Sequence, residues 1–414
     1  MLEKMKNAWR IPELRKKIIY TFGMLLLYRL LCCIPVPGVN IAAVSDAVKN
    51  FSVLDFMNMM TGGSFQNMTI MAMGITPYIN ASIILQLLTV AIPTLEKLAK
   101  EGPEGRKKIT EWTRYLTVAL AFIQAVGLVF AMRANSYGGI WYLVIGVSMA
   151  AGTSLAMWIG ERITENGIGN GISLLIMAGI VSNMFNWSRQ AVVGLIDGTV
   201  GIIAVLVVIV AFLVMIVAIT YVDMGERRIP VQYAKRMVGR KMYGGQSTHI
   251  PMKLNSTGVM PLIFGFAILQ FPATIFAFFP TSGINLWWQG FQSGVWYQVV
   301  LAVLIIAFTY FYTGITFNPA DISKNMQQNG GIIPGIRQGR ATTDYLARVS
   351  SRLTLFSALF LAVLATIPTI ITRLFGVSTP FAASSVLIAV SVGIETIRQI
   401  EAQMVMRHHK GFLG

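Results

Sequence analysis

The sequence predicts an all-α polytopic membrane protein of ten transmembrane helices in two inverted five-helix halves, with one short helix that does not span. Three observations predict it. Ten apolar runs of about 20 residues punctuate a chain of 414 residues that is 55% hydrophobic and only 12% charged, and runs of that length are membrane spans. The 33 Lys and Arg residues are asymmetric. With the N-terminus assigned to the cytoplasm, 28 lie on that side, Lys49, Arg133, Arg189 and Arg373 lie outside, and Arg29 sits within the first run. That bias orients the chain with both termini cytoplasmic. Finally, five runs carry the chain out, a short link follows at about 188–199, and five carry it back. Halves 1–188 and 189–414 therefore run in opposite senses, as in inverted-repeat pores and transporters.

The first run covers 18–34. Lys16 and Lys17 ahead of it resemble the start of a signal peptide, but Arg29 interrupts the run and "IPVPG" lacks a small-residue cleavage pattern, so the span is retained. Cys32 and Cys33 are adjacent and offer no loop-closing disulfide. Residues 56–69 are too short to span and rich in Gly, Met and Asn. The second run, 75–92, opens on Thr76-Pro77: Thr can cap a helix, and Pro at its first position forfeits no needed N–H. Gly74 frees the backbone to turn. From Pro77 to Ile92 is 16 residues, about 24 Å, short of the roughly 30 Å hydrocarbon core. The helix is thus expected to start below the outer surface, with 56–69 folded back inside the bundle, where non-helical backbone is tolerated.

The other runs fall at 115–132, 140–159, 171–187, 200–222, 257–279, 296–317, 350–372 and 381–397. Trp287, Trp288, Trp296 and Tyr297 fit an interfacial aromatic belt. Two long cytoplasmic loops, about 223–256 and 318–349, exceed what a connection needs. The first is basic with alternating apolar positions such as Ile229 and Val231. The second places Gly330, Gly331, Pro334 and Gly335 in turns around Arg337 and Arg340.

Enzyme chemistry has little to stand on. Phosphate-loop, H-E-x-x-H and G-x-S-x-G motifs are missing from the sequence, and "GIGNGIS" (Gly167 to Ser173) joins two spans rather than a strand and a helix. Its glycines fit a helix start and close packing. His249, His408 and His409 have no carboxylate cluster beside them, so neither a metal nor another cofactor is expected. The mid-membrane Asp or Glu that proton-coupled carriers commonly keep is lacking too. This weighs against the alternative of a secondary transporter for a small solute. Ile75, Ile79 and Ile83 share one helical face, as do Ile172, Ile176 and Ile180.

The stretches "GITPYINASIILQLLTVAIPTLEKLAKEGPEGRKKITEWTRY", "GIGNGISLLI", "RRIPVQYAKRMVGRKMYGGQSTHIPMKLNSTGVMP" and "GGIIPGIRQGR" strongly resemble the SecY family, and the resemblance covers essentially the whole chain. It implies the channel-forming subunit of the bacterial protein translocase, in the plasma membrane. It implies that 56–69 is a plug, with Thr61, Gly62, Gly63, Phe65, Asn67 and Met68 in it. A pore ring is implied at Ile79, Ile83, Ile172, Ile176, Ile263 and Ile388, where apolar side chains disfavour water and ions. The helices at 75–92 and 257–279 become two sides of a lateral gate, with Ser82, Gln86, Gly258 and Pro261. Arg227, Arg228, Lys235, Arg236, Arg337 and Arg340 become a docking surface for a motor or ribosome. The implied partners are SecE-type and SecG-type subunits, the SecA motor ATPase, the ribosome through its RNA phosphates, signal sequences, nascent membrane proteins and anionic lipid. ATP or GTP hydrolysis falls to those partners. The chain departs from the family's "PGIRPG" loop tip at Gln338, which replaces a proline, and at Arg340, an added charge.

Overall fold

A computed structural model describes residues 9, 11–41, 44, 58, 61–131, 138–198, 201–233, 236–238, 241–243, 247–277, 283–375 and 383–410. Each of the ten expected spans falls on a helix. In chain order they are α1 (Pro12–Leu31), α2 (Thr76–Ala91), α4 (Pro103–Ala131), α5 (Gly139–Asn166), α6 (Gly171–Ile196), α7 (Ile202–Met224), α8 (Met260–Ala277), α10 (Val295–Thr316), α12 (Arg340–Phe375) and α13 (Ala383–Lys410). Shorter helices are α3 (Pro93–Lys100), α9 (Gly283–Ser293) and α11 (Pro319–Gln328). Among the described residues six helices are long and apolar enough to cross a membrane by themselves. The bent pair Thr76–Thr89 and Pro93–Ala99 qualifies as a seventh when taken together.

Proline sets two boundaries. The expected first span, 18–34, ends as a helix at Leu31, because Pro35 and Pro37 force the residues before them out of helical geometry. At the other, Ile92 is extended (φ −108°, ψ 114°) ahead of Pro93, and α2 and α3 meet at 106°. The expected cap at Thr76 is corrected: the capping position is Ile75, without a side-chain hydrogen bond, and Thr76 and Pro77 are already helical.

The chain divides into two compact units. The first comprises Met1–Ala211, Ala267–Gly294 and Pro368–Gly414. Its centre is the pair α4–α5, with α2 on α4, α6 on α5 and α13 on α6. On α4 the buried stripe Thr113, Thr117, Ala121, Ala125 and Val129 repeats every four residues, and small residues on such a face let helix backbones approach closely. The Thr113 and Thr117 hydroxyls donate to Ile109 O (2.8 Å) and Thr113 O (2.6 Å), so their burial leaves no orphan donor. Arg114 clamps Glu161 through two 2.9 Å bonds between α4 and α5. Trp288, expected in the aromatic belt, is instead buried against Phe276 and Phe291, while Trp287 and Trp296 are exposed.

A Cβ on Gly152 of α5 would lie 1.9 Å from the Ile70 carbonyl oxygen. Gly152→Ala is therefore expected to cost about 2–3 kcal/mol through overpacking against backbone, seen as a lowered melting temperature of the purified protein. An unchanged melting temperature would refute the contact.

The second unit comprises Phe212–Phe266 and Val295–Ile367. Here the two long loops, expected on the cytoplasmic side, fold as one body. Strand β1 (Glu226–Tyr233) pairs antiparallel with β4 (Ser247–Lys253), in register from Glu226 opposite Lys253 to Gln232 opposite Ser247. It also pairs with β5 (Gly331–Ile332) from the second loop. A separate hairpin joins β2 (Arg236–Val238) and β3 (Lys241–Tyr243). The alternation of Ile229 and Val231 is buried on one face of β1, in a core with Met252, Met326, Ile333, Leu346 and Val349.

Candidate functional site: a small cleft beneath a folded-back segment

The described part of the expected plug, residues 58 and 61–69, is helical only at Asn58 and Thr61 and continues as turns through 75. Polar side chains hold it in shape. Asn58 Oδ1 accepts from Gln66 N (2.9 Å), Thr61 Oγ1 accepts from Phe65 N (3.3 Å), and Thr69 Oγ1 donates to Ser64 O (3.3 Å). Thr61, Ser64 and Thr69 are buried, and these bonds offset the cost of removing them from water.

The segment is also stitched to the chain after α1. Val36 N donates to Met68 O and Ile70 N to Ile34 O, both at 2.9 Å. Phe65 and Met68, at 0% exposure, sit in a core with Val36, Ala125, Val129, Ile145 and Met149 of α4 and α5. Asn67 points outward. Met68 has φ +43°, a left-handed conformation costly for a side chain of its size, accepted where both its backbone groups are bonded. Phe65→Ala is expected to remove about 3–5 kcal/mol of packing. It should raise hydrogen exchange across 61–69 while α4 and α5 stay protected. Unaltered exchange there would contradict the packing.

Gly62 has φ +67°, and a Cβ on it would meet the Arg29 guanidinium at 2.7 Å. Arg29 in turn donates from Nη2 to the Ala178 carbonyl of α6, so the guanidinium within the first apolar run has a backbone acceptor.

Beneath the segment lies a cleft lined by Tyr28, Thr61, Gly74, Ile75, Thr76, Ile79, Leu175 and Ile176. It brings together Ile79 and Ile176 of the expected ring with Thr61 of the expected plug. Ile83 is buried one turn further along α2, Ile172 is part-buried on α6, and Ile388 is buried on α13. Ile172 also packs on α5, where a Cβ on Gly160 would lie 2.9 Å from its Cγ1. Ile263 is part-buried on α8 in the second unit.

Glycines and caps in the α5–α6 turn match the reading of "GIGNGIS". Asn170 Oδ1 accepts from Ile172 N and Ser173 N (3.1 and 3.3 Å). A Cβ on Gly171 would lie 1.9 Å from Gly160 O. The turn is tied to α1 by Ile168 N donating to Thr21 Oγ1 (3.1 Å), and to α13 by Gly169 N donating to Gln399 Oε1 (3.0 Å). Neither Thr21 nor Gln399 is signalled by local sequence, because each partner is more than a hundred residues away.

Of the expected gate residues, Ser82 and Gln86 are part-buried on α2, Gly258 has φ +60°, and Pro261 is buried at the start of α8. A buried polar cluster just ahead of them escaped sequence reasoning: Asn255 Oδ1 accepts from Thr257 Oγ1 (3.3 Å) and from Ser357 Oγ of α12 (3.1 Å).

Of the expected docking residues, Arg227, Arg228, Arg337 and Arg340 are exposed, Lys235 lies outside the described residues, and Arg236 is described only in its backbone. Arg228 is paired with Glu226 at 2.7 Å. Arg337 sits between Gly335 (φ +81°) and Gly339 (φ +86°), and its carbonyl accepts from Thr342 Oγ1 (2.9 Å). Gln338 Nε2 donates to Gly331 O (3.3 Å), bracing the tip across the turn where the family pattern carries a proline.

The SecY family model matches residues 69–397. A protein translocase subunit SecY from Streptomyces scabiei is 42% identical over 439 residues, covering 100% of both chains. Among solved structures, a protein-conducting channel superposes with a TM-score of 0.70 at 20% identity over 97% of each chain. Sec61 in the canine ribosome-channel complex superposes with a TM-score of 0.67 at 19% identity, again over 97% of each. The fold is thus that of these channels, and a match of this length and identity makes the chain a member of the SecY family.

Proposed function

We propose that this chain is the central pore subunit of a Sec translocon, conducting unfolded secretory polypeptides across the bacterial plasma membrane and releasing apolar segments sideways into lipid. The observation that carries the reading is the cleft in which Ile79 and Ile176 meet Thr61 and Gly74 of the folded-back segment. A sliding chain of arbitrary sequence is held least by branched apolar side chains, which also dewet when empty; Ile75, Ile79, Leu175 and Ile176 supply them here, beside the hydroxyls of Tyr28, Thr61 and Thr76.

On this reading all ten helices span, in two inverted halves at 1–188 and 189–414, with both termini cytoplasmic. Residues 56–69 are a displaceable plug. Ile79, Ile83, Ile172, Ile176, Ile263 and Ile388 form the ring at the waist, and α2 and α8 are the sides of the lateral gate. The sheet body built from β1, β4, β5 and α11 docks the SecA motor or the ribosome, with SecE-type and SecG-type subunits completing the channel. The chain itself is not an enzyme, and its energy comes from the nucleotide hydrolysis of those partners.

Flux of a secretory precursor into reconstituted vesicles, with and without the motor and ATP, tests the reading. Motor- and ATP-dependent protection of the precursor from external protease is the expected result. Vesicles that take up small solutes but no precursor would overturn it in favour of a carrier.

A further inference from the structure

We infer that Arg227, Arg348 and Arg352 form a binding site for the phosphate headgroup of an anionic phospholipid. The three arginines line one open cleft in the second unit with Tyr345, Val349 and Leu353. No carboxylate lines it, and none of the three makes an ion pair among the described residues. Arg348 and Arg352 stand one turn apart on α12, a like-charge spacing that is unfavourable unless an anion lies between them. Arg227 adds a third guanidinium from β1. It has the same strand parity as the buried Ile229 and Val231, whereas Arg228 has the opposite parity and is already neutralised by Glu226. The adjacent arginines thus differ in use. Guanidinium forks match phosphate oxygens bidentately.

The source of the phosphate follows from what adjoins the cleft. Immediately past Arg352, α12 exposes Leu355, Leu359 and Val363 along one stripe. On α7, Val217 and Tyr221 are likewise exposed on the approach to Arg227. A cationic cleft at the edge of exposed apolar faces suits a molecule with a phosphate at one end and acyl chains at the other. An RNA phosphate or an acidic protein segment would leave those faces unused.

Titration of the purified full chain in detergent with dioctanoyl phosphatidylglycerol, dioctanoyl phosphatidylcholine and glycerol phosphate, read by native mass spectrometry, tests the assignment. The glycerol lipid is expected to bind about tenfold or more tighter than the choline lipid. Arg348→Gln with Arg352→Gln should erase that preference, Arg348→Lys with Arg352→Lys should keep most of it, and glycerol phosphate should bind far more weakly than the lipid. A double glutamine variant that keeps the preference would overturn the site. So would glycerol phosphate binding as tightly as the lipid, which would make it a soluble-phosphate site. Loss of ribosome or motor binding with lipid binding unchanged would reassign the cleft to macromolecular docking.

Discussion

Replacing Ile79 and Ile176 together with glycine is expected to raise resting ion conductance of the reconstituted channel by about tenfold or more. Both side chains line the cleft under the folded-back segment, and on the proposed function both belong to the apolar barrier that an ion must cross. Each substitution strips four apolar carbons from that wall, at about 0.8 kcal/mol per methylene. Even a quarter of the summed effect corresponds to roughly a tenfold change in a barrier-limited rate. Glycine inside a helix costs about 1 kcal/mol each relative to alanine, so Ile79→Ala with Ile176→Ala is the companion variant, which avoids that backbone penalty and in which conductance should also rise. Ile172 is a poorer probe, because it also packs on Gly160 and its loss would disturb the α5–α6 turn. Single-channel recording in planar bilayers checks the result. A well-folded alanine pair with unchanged resting conductance would remove these residues from the seal.

Arg337→Glu is expected to impair motor-driven or ribosome-linked translocation by about thirtyfold, leaving resting conductance unchanged. A central interface arginine is worth about 2 kcal/mol or more, which is roughly that factor in affinity. Arg337 has the geometry for such a contact. It is exposed at a tip bounded by two left-handed glycines, with its own carbonyl held by Thr342 and its neighbour Gln338 bonded to Gly331. Little conformational freedom is left for a partner to freeze. Charge reversal at Arg228 should do much less, since that side chain already pairs with Glu226 on an exposed strand, where ion pairs contribute about 1 kcal/mol or less. Precursor protection assays and partner binding to the two variants check the contrast. Equal effects would return Arg337 to an ordinary solvated arginine.

The sequence by itself determined that the chain is helical and membrane-embedded, where each apolar run lies, and which family it belongs to. Those properties reside in composition and local order: twenty apolar residues in succession have no other stable solution in a bilayer, and Pro35 or Pro93 ends a helix whatever surrounds it. It also singled out Ile79, Ile176 and Thr61, through isoleucine periodicity and the family resemblance, though not that they share one cleft. Tertiary structure decided what depends on partners distant in the chain. Two long loops join in one body, because β5 pairs with β1 across roughly a hundred intervening residues and no local signal encodes such a pairing. Burial of Phe65 and Met68 against α4 and α5 was likewise out of reach, since a short Gly- and Met-rich segment has no periodicity to say which side faces a core. The separation of Arg227 from Arg228 is the finest instance. Adjacent and chemically identical in the sequence, they are set apart by the two-residue alternation of a strand whose buried face only the surrounding helices define.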